Sequence, residues 1–221
     1  MLAVECGLTL RGLPGEYIVA WVAAHCPSVY IALDVARERV PSSSREVYQH
    51  EAAVLYYLTF RHVGPRGTGK EMLEIGTALG YSTVLLAIGA PKAHLVTLNP
   101  KGKEYPWAKR NLAGFPNVEL RLASSAEFLA KYEGPMLDLI FVDGSHLLED
   151  VRVDCGWWRW LRPGGLMLFH DWSPESSARP TPGTYRAINE MAEQLGRPFD
   201  VCVVDDQRVG LVGWVKEASD G

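Results

Sequence analysis

The chain reads as an α/β protein. The expected architecture is a doubly wound, mostly parallel seven-stranded sheet with one antiparallel strand, helices on both faces and an N-terminal helical extension. Three observations predict it. From Glu71 onward, short apolar runs alternate with segments of helical spacing, the pattern of a parallel sheet wrapped by helices. Met136–Val142 is nearly all apolar, as a strand buried on both faces is. The chain then ends on two strands, Val201–Val204 and Leu211–Val215, joined by a turn around Asp205–Gly210 with no helix between them, which calls for an antiparallel hairpin.

Residues 1–70 read as the extension and 71–221 as the α/β domain. Glu16–His25 carries Ile18, Val19, Trp21 and Val22 at helical spacing. Pro41-Ser42-Ser43-Ser44 is a turn, with Ser44 placed to cap a helix from Arg45 to about His62. That helix has Val47, Val54, Leu55 and Leu58 on one side and Tyr48, Tyr56 and Tyr57 nearby. Such faces suit packing on the sheet or a homodimer contact, and the sequence leaves both open. His50 and His62 read as surface residues. Gly64–Lys70 fits G-x-x-x-x-G-K, but Glu71 stands where Ser or Thr belongs and the segment runs from helix into strand, so it reads as a linker.

The rest follows in order: strand Met72–Ile75, helix Tyr81–Ala87, strand His94–Leu98, helix Lys103–Leu112, strand Val118–Leu122 and helix Ala126–Tyr132. Strand Met136–Val142 precedes helix Leu147–Leu161, which is closed by Arg162-Pro163-Gly164-Gly165. Strand Leu166–Phe169, helix Gly183–Leu195 and the terminal hairpin complete the chain. Trp157, Trp158 and Trp160 read as core or interface. The loop Trp172–Thr184, rich in Pro and Ser and carrying Arg179, reads as a lid over an acceptor.

Composition narrows the classes. Hydrophobic residues make up 48% and charged residues 22% of 221, enough for a full core. A net charge of −4 argues against a nucleic-acid groove. Cys6, Cys26, Cys155 and Cys202 show no paired or zinc-type spacing and read as reduced thiols. The N-terminus lacks a leader pattern, and the apolar stretch Tyr17–Val35 is broken by His25 and Pro27, so the expectation is a cytoplasmic protein without a membrane span.

Function points to the strand ends, since ligands of open α/β sheets sit outside the carboxyl ends of the strands. Those ends carry Gly76-Thr77, Asn99, Ser124-Ser125, Asp143-Gly144-Ser145-His146 and His170-Asp171-Trp172. The turn Glu74, Gly76, Gly80, Ser82 leaves bare backbone ahead of a helix N-terminus, which suits a carboxylate or phosphate. Ala78 stands where a dinucleotide fingerprint needs its second glycine, which disfavours a nicotinamide-dependent oxidoreductase.

The motif E-x-G-x-x-x-G-x-S resembles the first motif of class I S-adenosylmethionine-dependent methyltransferases. The stretch Leu137–Trp172, with its D-G-S-H, P-G-G and H-D elements, resembles the small-molecule O-methyltransferase branch that includes catechol and macrolide-sugar O-methyltransferases. The resemblance covers about Glu71 to Val215. It implies S-adenosylmethionine as cofactor and a small-molecule hydroxyl, on a sugar or a phenol, as acceptor. Gly76, Thr77 and Gly80 would line the methionine part, Ser82 would bond its carboxylate and Glu74 would orient the loop or the amine. Asn99 occupies the position of the usual ribose-binding acid and departs from the pattern. Ser125 would contact adenine, and Asp143 would touch the cofactor.

A hydroxyl acceptor must lose its proton. A divalent cation promotes this, and hard oxygen ligands suit Mg2+. Asp143 and Asp171 are the candidate carboxylates and His170 the candidate third ligand, since Trp172 replaces the amide that catechol-type enzymes place there. The alternative, with no metal and Asp143 holding cofactor or capping the next helix, stays open. His146, three residues past Asp143 where relatives carry a general base, is the candidate catalytic residue. A binding module that has kept the fold and lost catalysis is the second reading, favoured by Asn99 and Trp172.

Overall fold

The computed structural model describes residues 8–41, 47–177 and 179–218. The expected turn at Ser42–Ser44, the cap at Ser44 and Cys6 lie outside them. Among the described residues, eight strands form one sheet: β1 (Leu8–Leu13), β2 (Glu71–Ile75), β3 (His94–Leu98), β4 (Val118–Arg121), β5 (Leu137–Val142), β6 (Leu161–Trp172), β7 (Val201–Asp205) and β8 (Gly210–Val215). Their order is β1-β7-β8-β6-β5-β2-β3-β4. Every pair is parallel except the two that β8 makes, with β6 and β7. The reversed strand is therefore where the terminal hairpin put it. The count is eight rather than seven, because Leu8–Leu13 in the extension is a strand that pairs with β7 at the sheet edge.

Among the described residues, eight helices flank the sheet: α1 (Gly15–His25), α2 (Val29–Arg39), α3 (Gln49–His62), α4 (Tyr81–Gly89), α5 (Tyr105–Asn111), α6 (Ser125–Leu129), α7 (Leu148–Cys155) and α8 (Pro182–Leu195). The period-2 alternation of each strand sends neighbouring residues to opposite faces. Met72, Leu139, Phe141, Leu166 and Leu168 join the core under α1–α4. Leu73, Ile75, Ile140, Val142, Met167 and Phe169 join the core under α7 and α8. The N-terminal helices α1–α3 thus share one covering layer with α4.

Trp157 is fully buried in a 3-10 turn, Gly156–Trp160, that ends the helix expected to run to Leu161. Trp158 and Trp160 pack partly buried against the same core. β6 is longer than expected because it begins before the glycine pair; its register to β5 slips between Leu137 and Leu139 to absorb the extra residues. His50 is buried rather than on the surface, and His62 is half-buried. Cys26 and Cys202 are buried free thiols and Cys155 is half-buried. Among the described residues, no helix is long and apolar enough to cross a membrane.

Candidate active site

The sheet reverses its winding at β2. The chain leaves β2 for β3 and β4 on one side and returns to β5 on the other, which opens a crevice at the carboxyl ends of these strands. A cavity of about 410 Å³ lies there, lined among others by Gly76, Ala78, Asn99, Glu104, Ser125, Asp143 and Asp154. Its size is that of a small-molecule pocket.

The glycine turn forms one wall. Gly76 takes φ +106, and a Cβ there would collide with the Asp143 carbonyl oxygen, so this glycine lets β2 and β5 close together. Gly80 takes φ +95 as the N-cap of α4 and faces Leu112. Ala78 adopts φ +43 without being glycine.

Behind the wall lies a wholly buried polar set. Glu74 Oε2 accepts from the hydroxyls of Thr83 and Thr97, and Thr77 Oγ1 is 2.6 Å from Thr97 Oγ1. Glu74 Oε1 has no hydrogen-bond partner. Burial pushes the Glu74 carboxyl up to about 7, against the lowering contributions of Ser82, Thr83 and Thr97. Of the residues expected to hold cofactor, Gly76, Asn99, Ser125 and Asp143 line the cavity, whereas Glu74, Thr77 and Ser82 are buried and Gly80 caps the helix.

The far end of the cavity differs from expectation in detail. Asn99 is buried and committed locally: its Nδ2 donates to the Ala78 carbonyl at 3.0 Å and its Oδ1 accepts from Lys101 N–H. An acid is nevertheless present, since Glu104 lines the same wall with Oε2 3.4 Å from Asn99 Nδ2. The cap of α6 is Ser124, whose Oγ accepts from Glu127 N–H, while Ser125 Oγ accepts from Trp157 Nε1 at 2.9 Å. Asp154, beside Ser125, is pushed up to about 6 by burial.

At the opposite end the cavity meets an acid–imidazole cluster. Strand parity puts Asp143 and His170 on the α3 face, one residue beyond Val142 and Phe169. Continued alternation would point Asp171 the other way. A register slip in β6 after Phe169 and a left-handed φ of +55 at Asp171 turn it back. The result joins four expected residues. His146 Nε2 is 2.8 Å from Asp171 Oδ2, and His170 Nδ1 is 3.0 Å from both Asp143 Oδ1 and Asp171 Oδ2. Asp143 does not cap the next helix, whose N-cap is Leu147.

The electrostatics are tightly linked. Burial raises the Asp143 carboxyl, partly offset by His170. Burial alone would lower His170; the carboxylates of Asp143 and Glu51 reverse this and hold it well above its ordinary value. Burial would raise Asp171, but His146 and His170 hold it well below the usual carboxylate range. The bond to Asp171 raises His146, which therefore does not keep the unperturbed value expected of it.

Glu51 was not legible as a site residue. It is fully buried on α3, and its Oε2 lies 2.8 Å from His170 Nε2. The signal was a carboxylate on an apolar helix face, three and four residues before Val54 and Leu55. Trp172 packs on Tyr185 and Phe199, away from the cluster. The loop expected as a lid is tied down: Thr181 Oγ1 donates to the Asp171 carbonyl and Arg179 lies 4.5 Å over the Tyr48 ring.

The donor set fits a divalent ion. Asp143, His170 and Asp171 each offer one ligand atom, all within 4.8 Å of one another. Neighbouring ligands of an octahedral ion stand about 3 Å apart, the separation seen at His170 Nδ1. That nitrogen is buried and faces both carboxylates, so an ion held there would take the place of its proton.

Comparison with known proteins agrees with this geometry. A family model described as a methyltransferase domain matches residues 73–172. A catechol O-methyltransferase of Mycobacterium tuberculosis is 29% identical over 165 residues, covering 66% of this chain and 68% of that protein. Two solved structures share the fold. The O-methyltransferase TomG from Streptomyces achromogenes, involved in tomaymycin synthesis and in complex with S-adenosylmethionine, is 18% identical, with a TM-score of 0.60 over 90% of this chain and 96% of that one. An O-methyltransferase from Bacillus cereus, in complex with S-adenosylhomocysteine, is 19% identical, with a TM-score of 0.55 over 90% and 97%. The family match over residues 73–172, the motif at Glu74–Ser82 and the crevice behind it mark this part of the chain as a methyltransferase domain, and the solved O-methyltransferases share its fold.

Proposed function

We propose that this enzyme methylates a hydroxyl of a small molecule, a sugar or a phenol, with assistance from a divalent cation and with His146 as general base. The observation that carries the reading is the meeting, at Asp143, of the glycine-turn cavity with the Asp143–His146–His170–Asp171 cluster. S-adenosylmethionine, when bound, supplies a sulfonium methyl: the O–C bond forms as the C–S bond breaks, and the bonding pair stays on sulfur. A divalent ion, when bound, supplies charge that lowers the pKa of the acceptor hydroxyl.

The chain's own residues do the rest. Gly76, Ser125 and Glu104 shape and polarise the cofactor cavity, with Glu104 in place of the acid missing at Asn99. Asp143, Asp171 and His170 would hold the ion at the edge of the cavity, and alignment of acceptor and donor there is worth about 7–11 kcal/mol in favourable cases. His146, half-exposed at the cluster rim, takes the hydroxyl proton on Nε2 once substrate displaces its bond to Asp171. Residues 1–70 wall the acceptor side through α3. The exposed Tyr17, Tyr30 and Ile31 support a homodimer through the N-terminal helices, which light scattering tests.

The deciding experiment is methyl transfer to a panel of sugar and phenolic acceptors, with and without Mg2+, by wild type and His146→Ala. The expected variant loses about 10²–10⁴-fold in kcat and keeps its affinity for S-adenosylmethionine. Full activity in that variant would remove His146 from the reaction.

A further inference from the structure

Proton and methyl transfer leave Glu51 without a task, yet its placement is costly. The side chain is wholly buried, and its Oε1 has no hydrogen-bond partner. Its Oε2 takes the Tyr48 backbone N–H at 3.1 Å and faces His170 Nε2 at 2.8 Å. A carboxylate on Nε2 favours, once an ion displaces the Nδ1 proton, the tautomer that an ion needs: Nε2 carries the hydrogen and Nδ1 offers its lone pair. That Nδ1 is buried and 3.0 Å from one oxygen each of Asp143 and Asp171. Two carboxylate oxygens at this separation call for positive charge between them, which a proton on Nδ1 or a divalent ion in its place supplies.

We propose that Glu51 is a positioning residue that presents His170 Nδ1 as an imidazole ligand, so that the Asp143–His170–Asp171 site takes a borderline first-row divalent ion (manganese, iron, cobalt or zinc) in preference to magnesium. This deepens the cation-assisted reading of the same site and rests on it. The argument is one of ligand type. Magnesium prefers oxygen and sheds water reluctantly. Imidazole suits the first-row transition ions, and two carboxylates with one imidazole are a mixed set that favours them. A carboxylate behind the imidazole keeps the ring oriented and more basic, and losing such a partner costs about 10–100-fold in metal affinity.

The competing account is that Glu51 only caps α3 through Tyr48. Metal-stripped full-length protein, titrated by calorimetry with MgCl2, MnCl2 and ZnCl2, separates the two. Wild type is expected to bind Mn2+ and Zn2+ at least about 10-fold more tightly than Mg2+. Glu51→Gln keeps an acceptor oxygen for Tyr48 N–H and is expected to lose about 10–100-fold in Mn2+ affinity, with its thermal midpoint and its affinity for S-adenosylmethionine unchanged. His170→Asn exchanges the imidazole for an amide oxygen and is expected to bind Mg2+ as well as Mn2+; it carries the test if Glu51→Gln fails to fold. In the zinc-loaded protein, nitrogen-detected NMR is expected to show His170 protonated at Nε2 alone. Equal or tighter Mg2+ binding by wild type overturns this inference and leaves the cation-assisted reading standing. No ion bound at millimolar concentration overturns both. Unchanged Mn2+ affinity in Glu51→Gln reduces Glu51 to a helix cap and overturns its positioning role.

Discussion

Glu74 ties the stability of the fold to pH through a single carboxyl. It sits on the α4 side of β2, fully buried, with one oxygen shared by two threonine hydroxyls and the other unpartnered. Burial pushes its carboxyl up to about 7 in the folded protein, from an ordinary value of about 4.5. The folded state therefore holds a proton that the unfolded chain releases between these values. Stability from this group is complete below pH ~4.5 and falls as pH rises through ~7, by roughly 3 kcal/mol at 1.36 kcal/mol per pH unit. Glu74→Gln keeps the acceptor for Thr83 and Thr97 and removes the ionisation. In urea unfolding, the stability of the variant minus that of wild type should rise by about 3 kcal/mol between pH 5 and pH 8. A difference that stays flat over that range would show that Glu74 is ionised at no such cost, and the burial argument would fail.

Three further perturbations address other walls of the cavity. Gly76→Ala forces a side chain into the Asp143 carbonyl at a left-handed φ, and should cost at least about 3 kcal/mol, seen as a thermal midpoint lowered by roughly 6–12 °C; an unshifted midpoint would mean that β2 and β5 tolerate separation. Glu104→Gln removes the one acid at the Asn99 wall and should weaken S-adenosylmethionine binding about 10-fold by calorimetry, the value of one charge-assisted hydrogen bond; equal affinity would return the ribose role to Asn99. Trp157→Phe keeps the ring packing on Phe128 and Tyr132 but loses the bond to Ser125, and should cost about 1 kcal/mol, whereas Trp157→Ala should cost about 3–5; similar losses would make the hydrogen bond, rather than the buried ring, the main contribution.

What the sequence made legible follows from what local pattern encodes. The five central strands are runs of apolar residues bounded by turn residues, and burial on both faces leaves no other reading of Leu137–Val142. β1 escaped because Leu8–Leu13 is an edge strand with mostly exposed side chains, so its alternation is weak. α2 escaped because Pro27 precedes it and Asp34, Arg37, Glu38 and Arg39 dilute its apolar stripe. At the site, Asp143 and His170 were legible from strand ends. Asp171 was legible there too, but the kink that turns it back to the cluster was not, since a left-handed aspartate looks like any other in sequence. Glu51 stands 119 residues from His170, and only tertiary packing of α3 on the sheet brings them together.

The cluster also explains why α3 is built as it is. Three buried or half-buried carboxylates, Glu51, Asp143 and Asp171, face two imidazoles within one small volume. Burying charge is unfavourable unless it is neutralised in place. With His146 neutral, as a general base must be, and His170 a neutral ligand, three negative charges remain, two of which a divalent ion cancels. With both imidazoles charged and Asp143 protonated, neutrality is reached by protons alone. Protons and a divalent ion are thus alternative occupants of one electrostatic well, and Glu51 biases the choice. Without it, one negative charge is gone and the ring can turn. With it, Nε2 is held and Nδ1 faces Asp143 and Asp171. A helix from the N-terminal layer therefore sets the chemistry at the ends of β5 and β6.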